Sequence, residues 1–355
     1  MKTFRIIGLM SGTSLDGLDL ADVKFSQSSD GRWTFELLNS KTIEYSSEFK
    51  KELANAVNLS GEQLALLSVR LGNYYALQVL NCIKLWEIDK NDIDAISSHG
   101  QTVFHQPSNG FTLQIGNGPE LSIKTGIKSI VDFRTKDVAL GGNGAPLVPI
   151  ADHLLFTQMA EGFLNLGGFA NLSFQNQEWK SFDVCPVNIV LNDLMQSFDL
   201  DYDFNGNIGR SAPVDEKGLS ALNNLAFYTK EGPKSLGWEW VRDEVLPILK
   251  NNPDVKIQLG TFYQHCATQI GGALNKHNIS SVLITGGGAF NSFLIEKINT
   301  LYNGEIVLPS KSIIEFKEAI AFAFLGLLRL ENKINIYSSV TGAKKDSCSG
   351  SIYIP

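Results

Sequence analysis

Phe4-Arg-Ile-Ile-Gly-Leu-Met-Ser-Gly-Thr-Ser-Leu-Asp-Gly-Leu-Asp-Leu-Ala-Asp-Val-Lys24 is the stretch whose reading decides the fold. Ile6 to Met10 is an apolar run and Ser11-Gly-Thr-Ser14 a small polar turn. Beyond it, Asp16, Leu18, Asp19, Leu20, Asp22 and Val23 mix acidic with apolar side chains in near alternation. Alternation with a period of two marks a half-buried strand, so the stretch reads strand, tight turn, strand. Gly12 and Gly17 are expected to relieve the steric limit on the backbone there. Such a turn offers N–H groups and two hydroxyls to an anion. The neighbouring Asp residues suit a hydrated Mg²⁺, which is held by one or two carboxylates plus phosphate oxygens. A plain hairpin turn fits the turn alone equally well, because one Gly-rich turn carries little information.

With 355 residues the chain exceeds one ordinary core, and two domains are expected. Hydrophobic content of 43% against 19% charged describes a globular protein. A net charge of -7 with dispersed basic residues argues against a nucleic-acid partner, which needs clustered Lys and Arg. Cys82, Cys185, Cys266 and Cys348 stand singly, with no Cys-x-x-Cys pair, so neither a zinc site nor a redox motif is indicated. Isolated cysteines fit a reducing compartment. The apolar run behind Lys2 and Arg5 is too short for a signal peptide, and Ala319 to Leu328 falls far below membrane-spanning length. These features point to a cytoplasmic protein with no membrane partner.

Further along, Trp33 to Leu38 and Lys41 to Tyr45 alternate as strands. Ser60 and Gln63 are spaced as a capping box, and Leu64, Leu67, Leu71, Tyr75 and Val79 recur at helical spacing to about Trp86. Asp92 to Ser98, Phe111 to Ile115 and Lys128 to Arg134 read as strands. Leu140-Gly-Gly-Asn-Gly-Ala-Pro-Leu147 is a candidate hinge, and Asp201 to Lys234 a polar, mobile excursion. Gly162-Phe-Leu-Asn-Leu-Gly-Gly-Phe-Ala-Asn-Leu-Ser-Phe174 repeats the opening design, an internal repeat at the level of the hairpin. Helices are expected from Ile189 to about Phe198, Leu259 to Leu274 and Phe316 to Leu330. The last reads as buried, with Glu318 among apolar neighbours. Ser281 to Lys297 reads strand, Gly turn, helix.

Three Gly-rich turns each follow an apolar strand, at Gly12, Gly167-Gly168 and Gly286-Gly287-Gly288. Three in one α/β chain suit a nucleoside triphosphate, with two hairpins on the phosphates and a third turn flat against adenosine. Neither Gly-x4-Gly-Lys-Ser/Thr nor Gly-x-Gly-x-x-Gly occurs, so the P-loop and Rossmann readings lose ground. His99-Gly-Gln-Thr-Val-Phe-His105 lacks the helical spacing and third ligand of a metal site. Gln101 and its flanking histidines offer both donors and acceptors to a small polar molecule, although a loop histidine bonded to backbone explains His105 as well. Asp183 reads as following a strand, where it serves either as a general base or as a helix cap. Glu318 in an apolar helix costs free energy unless paired. Arg134 is either a bidentate fork for a carboxylate or an exposed cation.

Taken together, these stretches resemble the anhydro-N-acetylmuramic acid kinase family. The resemblance rests on Gly8 to Asp19, Ser98 to Pro107, Asp132 to Pro149, Leu164 to Leu172, Gly286 to Asn291 and Val340 to Ala343, in family order along nearly the whole chain. It implies a two-domain actin-like (ribonuclease H-like) α/β ATPase fold with a central cleft. It further implies ATP as phosphoryl donor and an anhydro-amino-sugar as the small-molecule substrate. The family opens the 1,6-anhydro bridge with water and phosphorylates O6, a step of murein recycling. By the same resemblance, Gly12, Thr13, Ser14, Leu15, Asp16, Gly17, Leu18 and Asp19 form the phosphate hairpin. Gly167, Gly168 and Asn171 form the second hairpin, and Gly286, Gly287, Gly288 and Asn291 lie near adenosine. Asp183 matches the catalytic base. His99, Gln101, His105, Arg134, Asn188 and Glu318 match the sugar site. Mg²⁺ arrives with ATP rather than on a protein metal site, with Asp16 or Asp19 nearest to steering it. A homodimer is compatible with the sequence.

The expected division is 1–135 plus a tail of about 336–355 for the first domain, and 136–335 for the second. This sequence departs from the family pattern in places. Asp183-Val-Cys-Pro-Val-Asn188 stands where Asp-Thr-Gly-Pro-Gly-Asn is usual, so Cys185 and Val187 replace glycines. Asn143 stands for a usual Gln, and Asn205-Gly-Asn-Ile-Gly209 is altered too. On the residues alone, an ordinary hexose or amino-sugar kinase, or a catalytically weakened actin-like nucleotide-binding protein, are the other readings.

Overall fold

The alternating N-terminal stretch folds as its pattern dictates, into β1 (Lys2–Met10) and β2 (Gly17–Gln27), antiparallel from Lys2 opposite Gln27 to Met10 opposite Asp19. The computed structural model describes residues 2–116, 118–230 and 234–355. Asn117, in the turn before Pro119, and residues 231–233 of the expected excursion lie outside the described residues. The strands that follow are β3 (Trp33–Glu44), β4 (Ala95–Ser98), β5 (Gln101–Gln106), β6 (Phe111–Ile115), β7 (Ser129–Val131), β8 (Gly162–Leu166), β9 (Phe169–Asn176), β10 (Glu178–Pro186), β11 (Ser281–Thr285), β12 (Glu305–Val307) and β13 (Ser351–Tyr353). The helices that matter below are α1 (Gly61–Leu85), α2 (Gly118–Thr125), α3 (Asn188–Met195), α4 (Val255–Lys276), α5 (Ser292–Leu301) and α6 (Lys311–Leu330).

Two sheets share one design. The first has the order β13-β7-β4-β1-β2-β3 and the second β10-β9-β8-β11-β12. In each, the first three strands form an antiparallel meander, and two later strands add in parallel on the other side of the first. Counted from its own first strand, each sheet therefore runs 3-2-1-4-5, and β13 extends the first sheet antiparallel to β7. The repeat visible in the sequence only at the hairpin extends to the whole sheet, which is the duplicated α/β order of the actin-like class.

The chain divides into two compact units, Met1–Leu155 with Phe316–Pro355, and Phe156–Glu315. The sequence had suggested changeovers at 135/136 and 335/336. The difference lies in long-range contacts. A Cβ on Gly8 would come within 2.0 Å of Ala319 O, so β1 and α6 touch backbone to backbone. Ser97 Oγ donates to Phe322 O. Asp137 accepts from Gly144 N and from Thr341 Oγ1, each at 2.8 Å, which ties the Gly-rich loop and the C-terminal segment to the first unit.

Each unit has its own core. In the first, Leu67, Leu71, Tyr75 and Val79 of α1 pack on Ile7, Leu9, Leu18 and Leu20. The helix starts at the expected capping box, with Gln63 N donating to Ser60 Oγ and Ser60 N to Gln63 Oε1. In the second, β8 to β11 pack against α3, α4 and α5. Among the described residues no helix is long and apolar enough to cross a membrane.

The glycines of the opening turn do not do what the sequence suggested. Its left-handed residue is Leu15, at φ 57. Gly17 is needed for close approach instead, since a Cβ there would meet Ile43 O at 2.6 Å. The extended segment expected at Lys128 to Arg134 is confined to β7.

Candidate active site

In the first unit, β4 ends at Ser98 and hands over directly to His99, whose N–H donates to Leu9 O of β1 at 3.1 Å. The imidazole is buried and packs at a tilt against Phe322, with ring centroids 4.6 Å apart. Nδ1 lies 2.9 Å from Gly100 O, and Nε2 accepts from Arg134 Nε at 2.9 Å. Both contacts require the neutral tautomer with its proton on Nδ1. Burial, and then the Arg134 charge, push the imidazole down to about 3. Arg134 is half-buried and not an exposed cation, and it also donates to Gly144 O. Burial lowers it to about 10, so it stays cationic at neutral pH.

Gln101 is buried as well, and its Oε1 accepts from Ser11 Oγ at 2.5 Å, while Ser11 Oγ takes a bond from Tyr45 OH at 2.7 Å. The first residue of the opening turn is thereby joined to the His99 loop. His105, at the exposed end of β5, bonds Thr112 Oγ1 at 3.1 Å.

Glu318 overturns an expectation. Between Phe316 and Leu328 it is the one exposed position in an otherwise buried helix. Protein crowds around it even so. That desolvation raises its carboxyl, the charge of Arg134 pulls it back, and the charge of Asp19 raises it again. Glu318, Arg134 and Asp19 therefore share one electrostatic neighbourhood. On the hairpin itself Thr13, Ser14 and Asp16 are exposed and Asp19 is half-exposed. Asp16 reaches Lys50 at 3.4 Å, and Asp19 accepts from Thr42 Oγ1. Asp22 is structural: it is fully buried and held by both Arg5 Nε and Nη2, at 2.9 and 2.8 Å.

In the second unit, Asp183 does not follow a strand. It lies inside β10, at the irregularity where pairing with β9 shifts between Asp183 and Cys185. It is therefore no helix cap. Its Oδ1 accepts from Asn171 Nδ2 at 3.0 Å and its Oδ2 from Leu236 N at 2.8 Å. Asn171 is itself oriented by Ser181 Oγ, which donates to its Oδ1 at 3.0 Å. Burial raises the Asp183 carboxyl, and the Asn171 and Leu236 bonds hold it back. The Gly167-Gly168 turn accepts from the amides that open α3, with Val187 N on Gly168 O at 2.8 Å and Asn188 N on Gly167 O at 3.3 Å.

A pocket of about 630 Å³ opens in this unit. Gly287, Gly288, Asn291 and Asn188 line it, together with Tyr202, Phe204, Phe290 and Lys311. Phe204, Tyr202 and Phe290 are exposed aromatics at its wall, which suit a planar apolar ligand. Asn188, expected with the sugar residues, falls in this set and donates to Leu166 O at 3.1 Å. Asn291 caps α5, accepting from Leu294 N at 3.1 Å. Its Nδ2 donates to Tyr263 OH at 2.7 Å, and that hydroxyl donates to buried Asp203 at 3.1 Å.

Compared with known families, the chain matches the model described as anhydro-N-acetylmuramic acid kinase over residues 4–355. It belongs to the anhydro-N-acetylmuramic acid kinase family. A relative of that name from Sulfurovum sp. (strain NBC37-1) is 33% identical over 368 residues, covering 100% of both chains. One from Sulfurimonas denitrificans is 31% identical over 369 residues, covering 98% of both.

In this member of the family, Cys185 and Val187 are fully buried in the second core. Their side chains fill core volume, so the departure from glycine does not add bulk to an open face. Sequence reasoning missed Asp137, Asp203, Tyr263 and Phe204. Asp137 is paired with Thr341 far along the chain, and Asp203 sits in a polar stretch with no pattern to single it out.

Proposed function

We propose that this chain opens the 1,6-anhydro bridge of anhydro-N-acetylmuramic acid with water and phosphorylates the freed O6 with ATP. The products are N-acetylmuramic acid 6-phosphate and ADP, and the setting is cytoplasmic murein recycling. The observation that carries the reading is Asp183, a half-buried carboxylate held by Asn171 and Leu236 in a chain that matches the kinase family from end to end. Desolvation makes its carboxylate more basic than an ordinary one, which suits a general base. Asp183 takes a proton from water as the water oxygen bonds C1. The C1–O6 bond breaks, and O6 accepts the γ-phosphoryl group while ADP leaves.

Phosphoryl transfer needs mainly positioning and charge stabilisation. The hydroxyls of Thr13 and Ser14, with the amides of the turn, would hold the phosphates. Mg²⁺ arriving with ATP would neutralise their charge. Asp16 and Asp19 are the hairpin carboxylates that would face it, and Asp19 shares the Glu318 neighbourhood. The adenosine moiety would lie in the pocket beside Gly287 and Phe204. Neutral His99, cationic Arg134 and Glu318 would bind the sugar.

ADP release should be rapid with anhydro-N-acetylmuramic acid and near background with glucose or N-acetylglucosamine. In H₂¹⁸O, label should enter C1 of the product. Label-free product would mean an ordinary kinase in which Asp183 deprotonates a sugar hydroxyl. ATP binding with no sugar-dependent turnover would overturn the enzymatic reading.

A further inference from the structure

β10 is the edge strand of its sheet, and an edge leaves backbone groups that no neighbouring strand can pair. At Asp183 that gap is closed by a short segment from far along the chain. Asp183 N donates to Lys234 O at 2.9 Å, and Leu236 N donates to Asp183 Oδ2 at 2.8 Å. Residues 234–236 therefore grip the backbone and the carboxylate of one residue at once. Asn171, opposite Asp183 in the register with β9, supplies the other carboxylate bond. The carboxylate is thus held from two sides. One side is a strand within the sheet, and the other is a segment that belongs to no strand or helix. Such a segment keeps its place only through the contacts its residues make. Ser235 is exposed, whereas Lys234 is half-buried and donates from Nζ to Phe227 O at 3.1 Å. The ammonium lies 4.5 Å from the centroid of the Phe227 ring and 5.9 Å from that of Phe182, within cation–π reach of both. Phe227 is buried in the helical turn Ala226–Thr229, and Phe182 directly precedes the base on β10. Burial, ahead of the like charge of Lys276, lowers the ammonium from the usual lysine range. A lysine ordinarily extends its head into water; here the two rings and the carbonyl hold it back.

We propose that Lys234 is a positioning residue for the base: it anchors residues 234–236 so that the Leu236 amide holds the Asp183 carboxylate in one orientation. The role rests on the reading of Asp183 as general base. Orientation matters because a base must meet the proton it takes at hydrogen-bond distance, and a misplacement of about 1 Å can cost about 10²-fold in rate. The Asp183 carboxyl responds to burial, to Asn171 and to Leu236. Lys234 therefore acts through the Leu236 amide and not through its own charge, and it does not touch the reacting atoms.

Amide hydrogen exchange, read residue by residue on the full chain without ligands, reports on the anchor independently of catalysis. In the wild type the Leu236 amide should be protected. Lys234→Met keeps the apolar stem and removes the charge and the donor. It should keep the circular dichroism of the native fold and speed exchange at Leu236 and Asp183 about tenfold or more. It should also lower kcat by about 10- to 10²-fold and leave KM for ATP unchanged. Lys234→Arg can still donate to Phe227 O and lie on the rings, so it should recover most of both losses. In an Asp183→Asn background, Lys234→Met should lower kcat no further, because the group it positions is gone. A wild-type Leu236 amide that exchanges as fast as open chain overturns the proposal. So does normal kcat in folded Lys234→Met, or a full second loss in the Asp183→Asn background. Normal turnover of Asp183→Asn would overturn the base itself and the positioning role with it, an outcome the exchange data separate from a failed anchor.

Discussion

Arg134 Nε donates to His99 Nε2 over 2.9 Å, which leaves the His99 proton on Nδ1, facing Gly100 O. His265 is held in the same manner, with Tyr228 OH at 2.8 Å from Nε2 and Asn223 Oδ1 at 2.7 Å from Nδ1. Each imidazole is held neutral by burial, at about 3. In the unfolded chain both return to about 6.5. Below about pH 6.5 the unfolded chain therefore binds protons that the native chain does not, and stability falls as pH falls. The slope for each histidine approaches about 1.4 kcal/mol per pH unit. Urea unfolding from pH 7.5 to 5 should show this loss, and His265→Asn, less stable overall, should show a shallower slope. Equal slopes in the two proteins would contradict the assignment.

Asp183→Asn should lower kcat by about 10²- to 10⁴-fold, the range for loss of a general base, with nucleotide affinity by calorimetry nearly unchanged. Near-normal turnover would remove Asp183 from the chemistry. Asn171→Ala provides a finer test. The Asn171 bond lowers the Asp183 carboxyl against the burial that raises it. Without that bond the acid limb of the kcat profile should move to higher pH, whereas a purely structural Asn171 would lower kcat evenly at all pH.

Glu318 is exposed, so Glu318→Gln should leave the melting temperature almost unchanged, as surface substitutions do. Losing a charged hydrogen-bond partner costs about 1.5–3 kcal/mol, so KM for the sugar should rise about tenfold or more. KM for ATP should stay the same. Equal rises in both would place Glu318 outside the sugar site.

The two hairpins, the capping box at Ser60 and the strand-turn-helix at Gly286 were legible because periodicity and turn residues are local signals. The Gly turns were legible for the same reason, whereas Asp183 read as following a strand and lies inside β10. Other features were set by contacts that no local pattern records. Asp137 is an ordinary helix residue until Thr341 reaches it. Glu318 read as a carboxylate in a buried helix, yet the surrounding fold leaves that one position open. Gly17 owes its place to Ile43 on the neighbouring strand and not to its own dihedral angles.

Gly286 and Gly287 are adjacent, and they should respond oppositely to substitution. Gly286 has φ 82 and ψ 167, a conformation essentially restricted to glycine. A Cβ there would also lie 2.5 Å from Asn165 Oδ1 and 2.8 Å from Leu166 O. Gly286→Ala should therefore cost several kcal/mol, from backbone strain of about 1–3 kcal/mol plus overlap of similar size. A Cβ on Gly287 would come no closer than 3.9 Å, to Asn188 Nδ2, and it would point into space that the pocket leaves free. Gly287→Val should leave thermal unfolding nearly unchanged and raise KM for ATP about tenfold or more, because the added methyls would occupy the face expected to meet the nucleotide. Unaltered ATP affinity in a folded Gly287→Val protein would move the nucleotide out of this pocket.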